Sequence, residues 1–289
     1  SLQVSSNCYF SYAYLAILNK YKGNPSKSID EWAKIMHSFG MGQYMNNDLA
    51  VGAKGLIPDG KFYEKRYGKN WKPMQAVFNG MGQGEILLTP LQIANFTAAI
   101  ANRGWYYTPH IVKAIDGKPN PDKRFKEKKH TLVDPKHFDA VIKGMEAVVL
   151  SGTGRGLRSK DFTQLAKTGT AEVPQGRDNS IYTMIAPAEN PKIVVAAVME
   201  HAGFGATWAG PACTIIAEKY LLGEIKREHL YKKMVNSSFM GEYKRQWNVY
   251  LKRIGKYKEP KKDSVQIKKL QDSLKVLNET NKNNNTKRK

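Results

Sequence analysis

The stretch Gln164–Val173 reads QLAKTGTAEV, and the fold assignment of this chain depends on it. We interpret it as a short strand, in which successive side chains point to opposite faces. Lys167 and Gly169 are then predicted to share one face, and Thr168 and Thr170 the other. Because glycine allows another group to approach the backbone closely, the neighbouring N–H groups and threonine hydroxyls could bind an anionic or polarised substrate.

Three short motifs in a set order define one class of serine acyltransferases: S-x-x-K, then a triplet such as S-D-N, then K-T-G. Ser5-Ser6-Asn7 has the S-x-N form of the second motif and lies upstream of Lys167, as the order requires. No serine in the chain is followed by lysine three positions later, so the motif that carries the nucleophile is absent. The chain also begins at Ser1 without a methionine. We therefore expect it to be the C-terminal portion of a longer protein.

The net charge of +21 is spread unevenly along the 289 residues. Residues 224–289 contain 19 Lys or Arg and 7 Asp or Glu, a net of +12, which leaves +9 for residues 1–223. We predict a folded domain over residues 1–223 and a basic, Lys/Asn-rich, partly disordered extension over residues 224–289. Such an extension could bind nucleic acid, an anionic membrane or a wall polymer. Within it, Val265–Leu277 has the apolar spacing of a short exposed helix.

The cysteine and histidine contents point away from metal chemistry. Cys8 and Cys213 form neither a C-x-x-C nor a zinc pattern, and we expect two small buried thiols, with a lone disulfide as the alternative. The six histidines show no paired metal-ligand spacing, so neither a metal nor a cofactor is predicted. No run of eighteen apolar residues occurs, so no segment of this chain is expected to span a membrane.

Periodicity along the chain predicts an α+β fold. Apolar residues at helical spacing predict five helices, at Cys8–Lys20, Ser28–Phe39, Leu91–Asn102, Pro135–Leu150 and Ala209–Leu222. Runs rich in β-forming residues predict strands at Trp105–Ala114, Gln164–Val173, Ser180–Ala186 and Ile193–His201. The last two runs are joined by a hairpin-type connection, which favours an antiparallel sheet flanked by helices.

Capping and composition add detail to this assignment. Ser28, with Glu31 three residues later, is expected to cap the second helix, and Thr89 before Pro90 is expected to cap the third. Gly42–Gly84 is rich in glycine, asparagine and proline, and Asp116–Lys129 is rich in lysine, so both are expected to be irregular. A Gly-Thr-Gly sequence after the fourth helix lacks the context of a phosphate loop and is expected to be a turn.

With these segments in order, the chain resembles the class B penicillin-binding proteins, and among them the elongation D,D-transpeptidases. The resemblance covers about residues 4–222, and any one of its motifs alone is weak. The combination is specific, and consists of Val4–Phe10, Gly82–Glu85, Leu88–Ala94, Gly152–Gly154, Ala166–Ala171, Ala186-Pro187 and Asn190–Ile193. It implies a penicillin-binding transpeptidase or serine β-lactamase-like fold that here lacks its N-terminal part, and it identifies residues 1–223 as part of that domain.

The resemblance also implies a site. Ser5 would relay a proton between the missing catalytic lysine and the leaving amine, and Asn7 would hold the substrate backbone in register. Lys167 would place positive charge near Ser5 and near the terminal carboxylate of the substrate. Thr168 and Thr170 would bind that carboxylate, Gly169 would leave room for the substrate along the strand, and the Thr170 N–H would form half of the oxyanion hole. The alternative for Ser5–Asn7 is a plain helix cap.

The function implied is cross-linking of peptidoglycan stem peptides through a serine acyl-enzyme, with binding of penicillin and other β-lactams. The expected partners are stem peptides, β-lactams and the membrane glycosyltransferase of the elongation machinery, at the periplasmic face of the inner membrane with an anchor upstream. This chain alone is expected to be inactive. A β-lactamase or β-lactam sensor of the same fold is the first alternative. A basic scaffold or nucleic-acid-binding protein is the second, although aromatic and basic residues are not interleaved as in RNA-binding sheets.

Overall fold

The fold is seen in a computed structural model that describes residues 1–49, 52–174 and 176–258. Residues 1–242 form one compact unit, and a second unit begins at Tyr243. The helix expected at Val265–Leu277, and residues 259–289 of the expected extension, lie outside the described residues. The described α-helices are α1 (Asn7–Leu18), α2 (Pro25–Ser38), α3 (Gly60–Tyr67), α4 (Pro90–Ala101), α5 (Phe138–Leu150), α6 (Ala209–Leu222), α7 (Glu228–Asn236) and α8 (Met240–Arg253).

Strands form three antiparallel sheets in the described part of the chain. The short strands β1 (Trp105–Tyr106) and β4 (Lys129–His130) pair with each other, as do β2 (Ala114–Ile115) and β3 (Lys118–Pro119). The main sheet contains β5 (Leu165–Ala171), β6 (Asn179–Ala186) and β7 (Ile193–Met199), in the order β5-β6-β7. β5 therefore pairs only with β6 among the described strands, and it forms an edge of this sheet.

Alternation along the main sheet sends its apolar side chains into two separate cores. On one face, Ala166, Tyr182, Met184, Ala186 and Val195 pack against Ala209, Cys213 and Ala217 of α6. On the other face, Leu165 and Ile185 pack with residues of α4 and α5, including Ala99, Ile100 and Met145. The sheet is thus covered by helices on both sides, as the sequence predicts, and α4, α5 and α6 hold β5 in place.

The expected start and cap of the second helix need correction. α2 begins at Pro25, because the side chain of Asn24 accepts a hydrogen bond from the Lys27 N–H at 2.9 Å. Ser28, expected as the cap, is a buried residue within the helix. Asn24-Pro25 ends one helix region and begins the next, since proline is favoured at the first helical position. The cap at Thr89 is confirmed, with the reciprocal bonds of a capping box to Gln92.

The segment Gly42–Gly84, expected to be irregular, contains α3 and the 3₁₀ helix Pro73–Met81. α3 is only eight residues long and is capped by Asp59, which accepts from the Phe62 N–H at 2.8 Å. A helix this short has too few apolar positions to show a helical period. Tertiary packing stabilises it instead, because Tyr63 is buried and stacks on Trp71.

The expected strand Trp105–Ala114 is interrupted. Strand pairing covers only Trp105–Tyr106, and resumes at Ala114. Between them, the Asp48 carboxylate accepts hydrogen bonds from the backbone N–H groups of Ile111 and Val112. These N–H groups are therefore satisfied by a side chain rather than by a neighbouring strand.

The prediction of two buried thiols is confirmed for Cys213 and wrong for Cys8. Cys213 is buried against the sheet, and burial raises the pKa of its thiol to about 12. Cys8 is exposed, because it lies near the start of α1 on a side of the helix that no described element covers. The two cysteines are both free thiols. No helix in the described ranges combines the length and apolarity needed to cross a bilayer.

The first part of the predicted extension is joined to the domain by a buried ion pair. Arg227 Nε donates to Glu218 Oε1 at 2.5 Å, and Glu218 is fully buried in α6. Arg227 Nη1 also donates to the Leu157 carbonyl at 2.8 Å, and the Arg227 and Lys226 N–H groups donate to Glu218 Oε2. The chain that leaves α6 is thus fixed to the loop before β5.

We expect Arg227→Ala to lower the free energy of unfolding by about 3 kcal/mol, because it leaves the buried Glu218 carboxylate without its cation. Urea unfolding of the two proteins measures the difference. Lys226→Ala is the matched control, since Lys226 pairs with Glu224 on the surface and the change should stay below about 1 kcal/mol. Equal effects of the two substitutions would contradict this assignment.

Candidate active site

Ser5 lies in a tight turn between the 3₁₀ helix Leu2–Val4 and α1. Its backbone is left-handed, with φ 53° and ψ 53°, a conformation that is uncommon outside glycine. Ser6, and not Ser5, caps α1, because the Ser6 side chain accepts from the Tyr9 N–H. The Ser5 hydroxyl is therefore not used in capping. Strained backbone at a polar residue is a feature of functional sites.

Lys167 lies in the middle of β5 and reaches the turn that holds Ser5. Its ammonium donates to Ser5 Oγ at 2.7 Å and to the Thr168 carbonyl at 2.6 Å. An ammonium has three N–H donors, so one remains for a further acceptor. Burial lowers the pKa of Lys167 from 10.5 to about 8, because removal from water disfavours the charged ammonium. The group is still mainly protonated at neutral pH.

This lowered pKa predicts a pH-dependent stability. Between pH 8 and 10.5 the unfolded chain holds a proton that folded Lys167 has released, so stability increases with pH in this window. Relative to Lys167→Met, the wild-type chain is expected to gain up to roughly 3 kcal/mol as the pH rises through it. Urea unfolding of both proteins at pH 7 and at pH 10 measures this. If the difference in free energy of unfolding between wild type and Lys167→Met is the same at both pH values, Lys167 is not desolvated.

The turn after α5 connects the two motifs. The Thr153 N–H donates to the Gln3 carbonyl at 3.2 Å, and Ser151 Oγ accepts from the Gln3 side chain at 2.7 Å. The Thr153 hydroxyl lies 2.7 Å from the Thr168 hydroxyl on β5. Gly152 is required here, because a Cβ at this position would lie 2.3 Å from the Gln3 carbonyl oxygen. The turn therefore sets the separation between Ser5 and β5.

Two further segments contact the strand. The Gln83 side chain donates to the Thr170 carbonyl at 3.3 Å, which places the Gly-Gln-Gly segment at the end of β5. On the α6 side, Gly205 packs directly against the backbone of β5 and β6. A Cβ on Gly205 would lie 2.1 Å from the Ile181 oxygen and 2.5 Å from the Gly169 oxygen.

The structure brings five of the six sequence-predicted residues together on or beside β5. Ser5 and Lys167 are in contact, and Thr168, Gly169 and Thr170 follow on the strand, partly exposed. Asn7 is the first residue of α1, two positions after Ser5. Its side chain is exposed and makes no hydrogen bond within the described part of the chain. The free edge of β5 and the Ser5–Asn7 turn thus border one accessible surface.

Sequence reasoning placed Gln83 and Thr153 in family motifs without predicting their contacts, and it missed Gly205 altogether. Each acts through the backbone or side chain of a residue far away in the chain, and local periodicity carries no such information. The glycines at 152 and 154 did predict the turn, but not its contacts with Gln3 and Thr168. Among residues 1–49, 52–174 and 176–258, no three His, Cys, Asp or Glu side chains are grouped to hold a metal ion.

Comparison with known proteins identifies the family that this chain matches. The penicillin-binding protein transpeptidase domain matches residues 1–221. The peptidoglycan D,D-transpeptidase MrdA of Haemophilus influenzae is 31% identical over 216 residues, which cover 67% of this chain and 33% of that protein. Penicillin-binding protein 2B of Streptococcus pneumoniae is 28% identical over 228 residues, 70% of this chain and 32% of that protein. The chain spans about a third of the length of the curated relatives it matches.

Solved structures show the same fold. Penicillin-binding protein 2 of Pseudomonas aeruginosa is similar with a TM-score of 0.63 and 32% identity, covering 78% of this chain and 48% of that one. Penicillin-binding protein 2 of Helicobacter pylori, in its complex with MreC, gives a TM-score of 0.62 and 28% identity, over 77% of this chain and 39% of that one. The α+β fold predicted from the motifs is confirmed.

Proposed function

The chain belongs to the penicillin-binding protein transpeptidase family, and on that premise we propose that it is the part of an elongation-type peptidoglycan D,D-transpeptidase that binds the end of the stem peptide. Such an enzyme attacks a D-alanyl-D-alanine amide, forms a serine acyl-enzyme and passes the acyl group to an amine. The observation that carries the proposal is the 2.7 Å contact between Lys167 Nζ and Ser5 Oγ, which joins two motifs 162 positions apart.

Lys167 supplies positive charge at the site. Two of its N–H groups are used by Ser5 and Thr168, and the third is directed to an incoming carboxylate. A desolvated ammonium attracts an anion more strongly than one in water, because the local dielectric constant is lower. Binding of the carboxylate in turn favours the protonated form and raises the pKa of Lys167 from about 8.

Ser5 passes a proton. Because Lys167 donates to Ser5 Oγ, the Ser5 hydroxyl hydrogen is available for the leaving nitrogen of the substrate, and the catalytic lysine of the missing S-x-x-K motif supplies the proton that replaces it. Asn7 lies on the same turn, and its unengaged side-chain amide donates to a backbone carbonyl of the substrate. The two residues together set the position of the scissile bond.

The free edge of β5 receives the peptide as an added strand. Gly169 has no side chain to block that approach. The hydroxyls of Thr168 and Thr170 bind the terminal carboxylate of the peptide, and the contact of Thr168 with Thr153 holds the first of them in position. The Thr170 N–H contributes one half of the oxyanion hole.

The nucleophile is placed outside residues 1–289, because no serine of the chain stands in an S-x-x-K motif. Residues 1–223 are then the C-terminal portion of the transpeptidase domain, and residues 224–289 are its extension. By itself this chain is expected to be inactive. The chemistry needs only side chains and backbone N–H groups, without a metal or cofactor.

The proposed setting is cell-wall elongation. The partners are stem peptides, β-lactams and the glycosyltransferase of the elongation machinery, with the enzyme anchored to the inner membrane and facing the periplasm. The similar Helicobacter pylori protein was solved with MreC, which supports a place in a larger assembly. Specific nucleic-acid binding is not part of this proposal.

Labelling with a fluorescent penicillin tests it. The whole protein, with the segment that carries the nucleophile, is expected to form a stable adduct, and the 289-residue chain alone is expected to remain unlabelled. Peptide mapping of the adduct should place the label outside residues 1–289. A label on Ser5, or on any other residue of this chain, would contradict the assignment. Rapid turnover of penicillin by the whole protein would support the β-lactamase alternative instead.

A further inference from the structure

α8 has a continuous apolar stripe on its exposed surface. At 100° per residue, six apolar or aromatic side chains fall within an arc of about 100°. They are Met240, Tyr243, Trp247, Tyr250 and Leu251 of α8 and Ile254, the residue that follows it; Leu251 is half-buried and the other five are exposed. Trp247 is 59% exposed and Met240 58% exposed, and the rings of Trp247 and Tyr250 stack with centroids 5.3 Å apart. Exposed apolar patches of this kind mark interaction sites.

The remainder of α8 and the residues after it are strongly basic. Residues 240–258 contain six Lys or Arg and one Glu, and that Glu242 is buried. Arg245, Lys252 and Arg253 lie on the sides of the helix away from the stripe. The helix therefore has one apolar, aromatic face and one cationic face, with low overall hydrophobicity.

We propose that α8 binds the surface of an anionic phospholipid membrane, with its axis parallel to that surface. An interfacial helix of this kind inserts an apolar face with Trp and aliphatic residues and keeps Lys and Arg at the headgroups. Trp and Tyr suit the boundary because each has an apolar ring and a polar tip. Each basic residue near an anionic surface adds to the attraction.

The charge distribution favours a membrane over other occupants of the stripe. A second copy of this chain would bring two clusters of like charge together, which weakens pairing. Nucleic acid would attract the cations, but it offers no hydrocarbon surface for Met240, Leu251 and Ile254. An anionic bilayer matches both faces of the helix at once.

Vesicle co-sedimentation of the full chain tests this. Binding is expected to vesicles that contain phosphatidylglycerol and phosphatidylethanolamine, and to be weak for phosphatidylcholine alone. The double substitution Trp247→Ser with Tyr250→Ser is expected to lower partitioning at least about tenfold. Val249→Ser is the matched control: Val249 is 49% exposed, lies on the opposite side of α8, and its loss should leave binding unchanged.

A second variant separates α8 from the basic residues that follow it. A chain that ends at Lys258 should keep binding that depends on Trp247, with a smaller dependence on salt. Loss of all vesicle binding in this variant would overturn the proposal. So would equal effects of the Val249 and Trp247 substitutions, equal binding to neutral vesicles, or a Trp247-dependent dimer seen by light scattering in place of vesicle binding.

Discussion

Replacing Lys167 with methionine is expected to lower the rate constant for acylation of the whole transpeptidase by penicillin by about a thousandfold. The substitution keeps an unbranched side chain one atom shorter and removes the charge that faces Ser5 and the incoming carboxylate. Ser5 then loses the donor that orients its hydroxyl. Stopped-flow measurement with a fluorescent penicillin gives the rate constant.

Two further measurements make this prediction specific. Lys160→Met removes an exposed lysine from the loop before β5, and acylation should remain within about twofold of wild type. At pH 7, Lys167→Met should be at least as stable as wild type, because methionine carries no charge whose burial costs free energy. If Lys167→Met is acylated slowly but is as stable as wild type, the lower rate constant comes from the chemistry and not from unfolding. Wild-type acylation by Lys167→Met would exclude Lys167 from the site.

Gly205→Ala is expected to give the largest structural effect. The new Cβ would meet backbone oxygens of β6 and β5 at 2.1 and 2.5 Å, and backbone atoms cannot move aside as a flexible side chain does. We expect a loss of more than about 3 kcal/mol in the free energy of unfolding, or a displaced β5. In either case penicillin acylation of the whole protein should fall sharply.

Gly156→Ala is the control for Gly205→Ala. Nothing lies within 4 Å of the position of its Cβ, and its backbone does not require a positive φ. Its free energy of unfolding should stay within about 0.5 kcal/mol of wild type. Urea unfolding of both variants gives the comparison. A Gly205→Ala protein with wild-type stability and acylation would show that Gly205 does not pack this closely against the backbone of β5 and β6.

Order and periodicity in the sequence were enough to predict the main sheet, five of the helices and the K-T-G strand. α6 was predicted to the residue, because apolar spacing runs along it and Gly223, in the left-handed conformation, marks its C-terminal limit. α3 was missed, because eight residues show little period and its stability comes from Tyr63 and Trp71. Cys8 was expected to be buried because cysteines usually are. That general preference carries no information about which side of α1 the residue occupies.

The sequence predicted the residues of the site but not the long-range contacts that hold them together. S-x-N and K-T-G are local patterns, and each can be read along the chain. The contacts that bring them together are long-range: Gln3 with Thr153, and Thr168 with Thr153. Such contacts depend on how α5 and β5 pack, so no local spacing encodes them. The buried pair of Arg227 with Glu218 is of the same kind.

A crystal structure of the whole protein acylated by penicillin tests the central claim most directly. We predict that the carboxylate of the bound drug lies within hydrogen-bond distance of the Thr168 or Thr170 hydroxyl. Lys167 Nζ should remain on Ser5 Oγ, and the drug amide should lie along the edge of β5. A carboxylate bound away from β5, or a Lys167 ammonium turned away from Ser5 in the complex, would contradict the proposed site.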